Sequence, residues 1–180
     1  MILYPTYFAD SVSDVTPEFL KDQKAKGVVL DVDDTLAPNK IIEPKIEVVS
    51  WIEELKSNGI KPVLLSNNFK RRVGPLAEKL GLPYISLGLK PLTFGLKRAV
   101  KIISCDKDEV FMVGDQMFTD ILAANLMKMR SVLVKPITIQ KNIFSKTKRG
   151  LEKIIRNKTK SENYAKIKII GEKSLQEGKK

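Results

Sequence analysis

Histidine is missing from this sequence of 180 residues, and cysteine occurs once, at position 105. Without histidine, the chain has no Ser-His-Asp triad, no histidine-based phosphoryl transfer and no histidine-ligated metal. A single cysteine excludes an internal disulfide and the CxxC motifs of redox and zinc proteins. A cysteine-based phosphatase is excluded too, because it needs an Arg six positions after its cysteine, where this chain has Phe111. Catalysis by this chain must therefore rely on carboxylates, Lys, Ser or Thr, and backbone groups.

Long hydrophobic runs are also lacking. No stretch approaches the roughly 20 apolar residues that a membrane-spanning helix needs. The first eight residues have no basic region and are soon followed by acids, which is not typical of a secretory signal. We therefore expect a cytoplasmic protein. Its hydrophobic content of 43% is sufficient for a globular core.

Positive charge is concentrated at the carboxyl end of the chain. The net charge is +11, and residues 136–180 contain 13 Lys or Arg against 4 Asp or Glu. We therefore predict a globular domain over residues 1–135 and a basic extension over 136–180, partly helical near residues 143–155 and frayed at its end. Such an extension favours an anionic partner, either a membrane surface or nucleic acid. The alternative is a solvated end that only aids solubility.

Apolar runs and helical patterns alternate through residue 135. This alternation predicts an α/β fold with a doubly wound, Rossmann-like parallel sheet of about five strands and helices on both faces. In such sheets, ligands bind beyond the carboxyl ends of the strands. The predicted strands are Val28–Leu30, Pro62–Leu65, Tyr84–Leu87, Val110–Val113 and Ser131–Val134. The predicted helices are Pro44–Asn58, Phe69–Leu80 (with a potential break at Gly74-Pro75), Thr93–Ile103 and Thr119–Met129.

The strongest motif is Asp31-Val32-Asp33-Asp34-Thr35, directly after the first of these strands. In extended chain the side chains of Asp31 and Asp33 point to the same side. Two neighbouring carboxylates repel each other, so ionising both is unfavourable unless a cation lies between them. Mg²⁺ is such a cation, because it prefers carboxylate, phosphate and water oxygens as ligands. One carboxylate could attack phosphorus, and the other could protonate the leaving oxygen and then activate water. The alternative is a solvated acidic turn that caps a helix.

Two weaker motifs follow the second and third strands. Ser66-Asn67-Asn68 offers a hydroxyl and backbone N–H groups that can hold phosphate oxygens, although it is also an ordinary turn. Lys90 opens the next helical segment, where its charge could neutralise a nucleophile and a phosphoryl group. A surface lysine is the simpler interpretation of Lys90 taken alone.

The fourth motif, residues 114–120, follows the fourth strand. Asp115 is placed to complete a metal site, and Asp120 could orient Lys90 or a metal-bound water. The alternative is that both cap the next helix. All four motifs lie at carboxyl ends of predicted strands, so we expect them to converge at one edge of the sheet.

In these four motifs the sequence resembles the haloacid dehalogenase (HAD) phosphatase superfamily, over residues 27–135. The resemblance implies an Mg²⁺-dependent phosphatase in which Asp31 is the nucleophile and Asp33 the general acid and base. It assigns phosphate binding to Ser66 and Lys90, with Asn67 alongside. The implied Mg²⁺ ligands are Asp31, the backbone carbonyl of Asp33, and Asp115, with Thr35 and Asp120 in supporting roles.

Spacing indicates a HAD protein without a cap domain. Ser66 lies 35 positions after Asp31, and Lys90 lies 24 positions after Ser66. Neither interval has room for the additional domain that many HAD enzymes carry at these points. We therefore expect an open site, suited to a large or surface-presented substrate, unless a partner subunit of a homo-oligomer covers it.

A narrower resemblance is carried by four segments of the sequence: Pro5-Thr6, residues 27–36, residues 65–68 and Lys90-Pro91. Together they are similar to the YqeG branch of subclass IIIA, which is itself similar to mitochondrial-type phosphatidylglycerophosphate phosphatases. This implies a phospholipid substrate, phosphatidylglycerol as product, and peripheral attachment at the inner face of a membrane. The alternatives are a soluble or macromolecular phosphoester, or a basic nucleic-acid-binding adaptor with a secondary phosphatase site. A receiver module that keeps its phosphoryl group is disfavoured, because no Asp ends the third strand.

Overall fold

The computed structural model describes residues 3–38 and 43–138. In this part of the chain, six parallel strands form one sheet in the order β1-β6-β5-β2-β3-β4. The strands are β1 (Tyr7–Phe8), β2 (Gly27–Leu30), β3 (Lys61–Leu65), β4 (Tyr84–Ile85), β5 (Val110–Gly114) and β6 (Arg130–Leu133). The helices are α1 (Pro17–Asp22), α2 (Ile46–Ser57), α3 (Lys70–Leu80), α4 (Phe94–Ile103) and α5 (Leu122–Leu126). Short 3₁₀ turns span Val12–Asp14 and Lys107–Glu109, and a π-helical turn spans Met117–Ile121.

Successive residues of the central strands contribute to two separate hydrophobic cores. Val28 and Leu30 of β2 belong to the core that contains the buried residues of α1, α2 and α3. Val29, between them, belongs to the core formed with α4 and α5. Because neighbouring strand residues point to opposite faces, both faces of the sheet are covered by helices. The predicted doubly wound α/β fold is therefore confirmed.

The chain changes direction across the sheet next to β2. After β2 it adds β3 and β4 on one side, and it then crosses to place β5 and β6 on the other side. The crevice between the carboxyl ends of β2 and β5 is thus the switch point at which ligands of such sheets bind. Asp31 directly follows β2, and Asp115 directly follows β5.

Local differences from the sequence prediction have identifiable causes. The sheet has six strands rather than about five, because β1 has only two residues, too few for a strand pattern. The third predicted strand ends at Ile85, since Leu87 has a left-handed φ of 50°. Helix α3 continues through Pro75, because its buried residues Val73, Leu76 and Leu80 hold it against the sheet.

The last predicted helix, over residues 119–129, is replaced by the π-helical turn and the short helix α5. Helix α5 ends at Leu126, and Lys128, with φ of 56°, has the left-handed conformation that commonly terminates helices. Met129 then donates its N–H to the carbonyl of Ala124 and leads into β6. π-helical turns often occur at functional sites, and this one carries Asp120.

The segments between the motifs are short, as their spacing predicts. The described residues between β2 and β3 include a single helix, α2, and those between β3 and β4 include only α3. Neither connection contains a cap domain within the described ranges. The basic extension from residue 139 onward, with the predicted helix near 143–155, lies outside the described residues. None of the helices that the structure describes is long and apolar enough to cross a bilayer.

Candidate active site

Lys90 lies at the centre of the site and is buried. Its Nζ is 2.5 Å from Asp31 Oδ1 and 2.7 Å from Asp120 Oδ1. It also donates a hydrogen bond of 3.0 Å to the carbonyl oxygen of Leu65, the last residue of β3. Two of the three N–H donors of the ammonium group therefore have hydrogen-bond acceptors, and the contact with Asp120 is an ion pair. Lys90 therefore joins three strand ends, because Asp31 follows β2, Leu65 ends β3 and Asp120 lies just after β5.

Asp31, Asp115 and Asp120 form a buried group of carboxylates. One oxygen of each lies within 4.8 Å of one oxygen of the other two. The hydroxyl of Thr35 lies 3.2 Å from Asp31 Oδ2 and 3.3 Å from Asp115 Oδ1, and its single proton serves one of them at a time. The three acids thus converge at the switch point, and within residues 3–38 and 43–138 Lys90 is the only cation that forms an ion pair with any of them.

Burial and repulsion between carboxylates shift the pKa values of Asp31 and Asp115. Burial raises the pKa of Asp31 from 3.8 to about 7, although Lys90 opposes the shift. The pKa of Asp115 is raised well above its usual range, first by burial and then by the negative charges of Asp31 and Asp120. Burial lowers the pKa of Lys90, but Asp120 and Asp31 outweigh it and raise that pKa overall. The site therefore favours additional positive charge.

A divalent cation fits this donor set. Mg²⁺ binds oxygen ligands, commonly one or two carboxylates together with water and phosphate oxygens. Asp31 and Asp115 provide buried carboxylates whose ionised form is disfavoured in the absence of such charge. Asp120 belongs to the same group but is paired with Lys90. The carboxylate of Asp33 lies outside this group of three, and the family resemblance implies its backbone carbonyl as the ligand instead.

Asp33 is held by groups of the β3–α3 connection. Its Oδ2 accepts hydrogen bonds from Asn68 Nδ2 at 2.7 Å and from Ser66 Oγ at 3.4 Å. Its Oδ1 accepts from Arg72 Nε at 3.0 Å, and Arg72 Nη2 lies 2.8 Å from the same oxygen. Arg72 Nη2 also donates to the carbonyl of Pro38. Asp33 and Asp31 are thus held by different partners.

Asn67 fixes the backbone of Lys90. Its Oδ1 accepts from the Lys90 N–H at 2.7 Å, and its Nδ2 donates to the Lys90 carbonyl at 2.9 Å. This two-way amide pair makes Asn67 a positioning residue for Lys90. The hydroxyl of Ser66 accepts the N–H of Asn68 at 3.0 Å and contacts Asp33. Phosphate binding by Ser66, Asn67 and Lys90 stays a prediction.

The turn after β2 brings Thr35 back to the site. Asp34 has a left-handed φ of 61°, and its N–H donates to the carbonyl of Ala37 at 2.8 Å. The N–H of Leu36 donates to the carbonyl of Val32, which closes the turn. The side chain of Asp34 accepts a hydrogen bond from Thr138, and its carbonyl accepts the N–H of Ile137. Asp34 therefore anchors the segment after β6.

Sequence reasoning did not identify Arg72 or assign a role to Asn68. A signal for Arg72 was present: residues 70–72 are three consecutive cations in the first turn of α3. Cations are disfavoured at a helix N-terminus, where the helix dipole is positive. An arginine placed there against the dipole indicates an anionic partner, which the structure identifies as Asp33.

Gly114 makes room for Asp120. A Cβ on Gly114 would overlap the carboxylate of Asp120, whose Cγ would lie 2.5 Å away. We expect Gly114→Ala to displace Asp120 from Lys90 and to lower the free energy of unfolding by about 1–3 kcal/mol. Gly74→Ala is the comparison variant, because apart from its chain neighbours its Cβ would meet nothing closer than Tyr84 Oη at 3.4 Å. In helix α3 the gain of about 0.5–1 kcal/mol expected for Ala over Gly is opposed by contact with the ring of the following Pro75, so we expect a smaller change in stability than at Gly114. Urea denaturation measures the free energy of unfolding of both variants. Equal changes in the two variants would contradict the role of Gly114 in making room for Asp120.

Comparisons with known proteins agree with this geometry. Residues 16–127 match the model of the haloacid dehalogenase-like hydrolase family. The chain is 32% identical over 160 residues to "Probable phosphatase YqeG" of Bacillus subtilis, covering 89% of this chain and 93% of that protein.

Two solved structures share the fold at low sequence identity. An uncharacterized protein from Listeria monocytogenes serotype 4b has a TM-score of 0.53 at 18% identity, over 66% of this chain and 84% of the other. The hypothetical protein XCC2798 from Xanthomonas campestris has a TM-score of 0.52 at 13% identity, over 73% of this chain and 72% of the other. Together with the converging motifs, the family model and the Bacillus relative establish that the chain belongs to the haloacid dehalogenase-like hydrolase family, in its YqeG branch.

Proposed function

We propose that this protein is an Mg²⁺-dependent phosphatase that hydrolyses a phosphate monoester through a phosphorylated Asp31. The observation that carries the proposal is the buried contact of Lys90 with Asp31 and Asp120, next to Asp115, at the switch point of the sheet. The contact with the Lys90 ammonium group orients the Asp31 carboxylate and favours its ionised form, which is the form that can attack phosphorus. The Bacillus relative is named a probable phosphatase, which supports the same activity.

In the first step, a carboxylate oxygen of Asp31 attacks phosphorus while the bond from phosphorus to the leaving oxygen breaks. Asp33 donates a proton to that oxygen, so the alcohol leaves in neutral form. Lys90 Nζ keeps its contact with Asp31 Oδ1, so the other oxygen, Oδ2, is the one presented to the substrate. For Lys90 to contact the phosphoryl group directly, that group must use the N–H donor that has no hydrogen bond among the described residues or replace Asp31 or Leu65 as an acceptor.

In the second step, Asp33 takes a proton from a water molecule as the water oxygen attacks phosphorus. The bond between phosphorus and Asp31 breaks, which releases inorganic phosphate and regenerates the carboxylate. Arg72 and Asn68 hold the Asp33 carboxyl group in both steps, and the 3.4 Å contact from Ser66 gives way when Oδ2 carries the proton that Asp33 takes from water and donates in the next cycle. Mg²⁺, held by Asp31, Asp115 and the backbone of Asp33, would supply positive charge that balances the buried acids and the phosphoryl oxygens.

The raised pKa values of Asp31 and Asp115 predict how metal affects stability. Between pH 3.8 and about 7, the folded metal-free protein binds more protons at these sites than the unfolded chain does. Their contribution to the free energy of unfolding therefore falls as pH rises through this window. Mg²⁺ binds the ionised carboxylates, so it should raise Tm more at about pH 8 than at about pH 5.

Calorimetry with Mg²⁺ and with EDTA at both pH values measures this difference. Asp115→Asn should reduce the increase in Tm that Mg²⁺ causes at the higher pH. The same substitution at Asp106, which is exposed and remote from the crevice, serves as the control. An increase in Tm that is equal at the two pH values would contradict the assignment of these carboxylates to the metal.

Arg72 is expected to act as a positioning residue for Asp33. Arg72→Ala removes two contacts to the carboxylate, and we expect kcat to fall by about tenfold to hundredfold with a smaller change in KM. Arg72→Lys should recover part of the loss, because it restores the charge but not the paired N–H geometry. Steady-state kinetics on p-nitrophenyl phosphate measure both. A change in KM alone, or equal kcat values for the two variants, would contradict this role.

For the substrate, we propose a phospholipid monoester, phosphatidylglycerophosphate. The proposal is supported by the resemblance to phosphatidylglycerophosphate phosphatases and by connections too short for a cap, which leave the crevice open to a large substrate. A panel of phosphate monoesters with Mg²⁺ tests it, containing phosphatidylglycerophosphate, sugar phosphates, nucleotides and phosphopeptides. The highest kcat/KM is expected for phosphatidylglycerophosphate, and a higher value for a soluble member of the panel would contradict this choice.

A further inference from the structure

Most of the exposed large hydrophobic side chains among the described residues are grouped around the active site. Five of the eight lie on the two connections that carry Ser66 and Lys90, and each is between 49% and 66% exposed. We call these five residues the apolar rim: Phe69, Leu87, Leu89, Leu92 and Phe94. Single exposed apolar residues are ordinary, but a group of this kind marks an interaction surface.

The backbone holds the two parts of the apolar rim together. The N–H of Leu87 donates to the carbonyl of Asn68 at 2.9 Å, which places Leu87 beside the residue preceding Phe69. The N–H of Leu92 donates to the carbonyl of Leu89 at 2.8 Å, closing a turn around Lys90. Lys90 is buried in that turn, whereas Leu89 and Leu92 are exposed. The same turn thus carries an active-site residue and part of the rim.

The exposed charges that adjoin the apolar rim in the sequence are positive. Of the eight Lys or Arg in residues 66–105, Lys90 and Arg72 are paired with active-site acids, whereas Lys70, Arg71, Lys97 and Arg98 are exposed and lie within four residues of Phe69 or Phe94. Lys70 and Arg71 follow Phe69 directly, and the Arg71 guanidinium lies 5.8 Å from the centre of the Phe69 ring. Lys97 and Arg98 lie one turn after Phe94 on helix α4 and are exposed. Exposed apolar side chains surrounded by cations are the combination that binds anionic lipid surfaces.

We propose that the apolar rim docks the protein onto an anionic lipid surface, with the active site facing the headgroups. The surplus of positive charge disfavours a second copy of this chain as the occupant, because the two surfaces would repel each other. Nucleic acid would use the cations but leaves the aliphatic side chains of Leu87, Leu89 and Leu92 without a role. The inference deepens the proposed function, since a lipid phosphate would be presented at such a surface, but docking itself requires no catalysis.

Sedimentation of the full-length protein with vesicles tests the docking directly. The vesicles contain phosphatidylcholine alone, or phosphatidylcholine with phosphatidylserine, whose headgroup is neither that of the proposed substrate nor that of its product. We expect binding to the anionic vesicles that weakens as ionic strength rises. The double variant Leu89→Asp/Leu92→Asp should bind at least about tenfold more weakly, because it removes apolar area and adds negative charge. Ile102→Asp/Leu126→Asp, at exposed residues of helices α4 and α5 outside the rim, adds the same charge and is the matched control, which should bind as the unmodified protein does.

The outcomes separate docking from catalysis. Circular dichroism and thermal unfolding first establish that the variants are folded. If the unmodified protein does not bind anionic vesicles, or if Leu89→Asp/Leu92→Asp weakens binding no more than the Ile102/Leu126 control does, the docking proposal is wrong. Turnover of soluble p-nitrophenyl phosphate, measured without vesicles, tests the phosphatase activity alone. Turnover without vesicle binding would overturn only the docking proposal, and vesicle binding without turnover would overturn only the proposed activity.

Discussion

Asp31→Asn is expected to abolish turnover, lowering kcat by about 10⁴-fold or more. An amide lacks the negative charge of the carboxylate and is a poor nucleophile toward phosphorus. The loss should not come from unfolding, because burial and the charge of Asp120 disfavour the ionised form of Asp31 in the metal-free protein. We therefore expect metal-free Asp31→Asn to be at least as stable as the unmodified protein near neutral pH. Kinetics on p-nitrophenyl phosphate and calorimetry of the same samples measure both effects.

The matched control for this variant is Asp22→Asn. Asp22 is the exposed last residue of helix α1, at the opposite edge of the sheet from the site. Its substitution should change neither kcat nor KM. If Asp31→Asn retained the activity of the unmodified protein, the proposed mechanism would be wrong, whatever the substrate.

Lys90→Met is expected to have the second-largest effect, on both activity and stability. Methionine has a similar length but no charge, so Asp31 and Asp120 lose their shared ammonium group. Removing one partner of a buried ion pair costs about 3–5 kcal/mol of stability. The variant also lacks the positive charge that stabilises the transition state of phosphoryl transfer, so kcat should fall by about 10²–10³-fold.

The stability loss from Lys90→Met should depend on pH. Lys90 opposes the rise in the pKa of Asp31, so its removal moves that pKa above about 7. The carboxyl is then protonated at low pH and needs no cation, so the destabilisation should be small there and should grow as pH rises. Urea denaturation in EDTA at several pH values measures this. Lys101→Met, at an exposed lysine in the last turn of α4, is the control, and a loss independent of pH would contradict the account.

The central strands and the motifs that follow them could be predicted because each is recognisable from a short segment of the sequence. Gly27–Leu30 of β2 and Val110–Gly114 of β5 are buried along their whole length, so they appear in the sequence as uninterrupted apolar runs. The polar motifs that follow such runs must lie at the carboxyl edge of a parallel sheet. That rule is enough to bring Asp31, Lys90 and Asp115 together without any knowledge of the loops between them.

The remaining features depend on contacts between distant residues. β1 exists only because Tyr7 and Phe8 pair with Val132 and Leu133, more than 120 positions later. The pairing of Arg72 with Asp33 joins residues 39 positions apart. The two-way bond between Asn67 and the backbone of Lys90 likewise depends on how the two loops pack. A hydrogen bond of this kind leaves no periodic pattern in the sequence.

The phosphorylated state of Asp31 offers the most direct test of the mechanism. Acid quenching during turnover of a phosphate monoester with Mg²⁺, followed by borohydride reduction, converts an aspartyl-phosphate to homoserine. Peptide mass spectrometry should then find homoserine at position 31 only in samples that contained substrate. Asp31 unmodified in every sample while turnover proceeds, or the modification at another acid, would contradict the account.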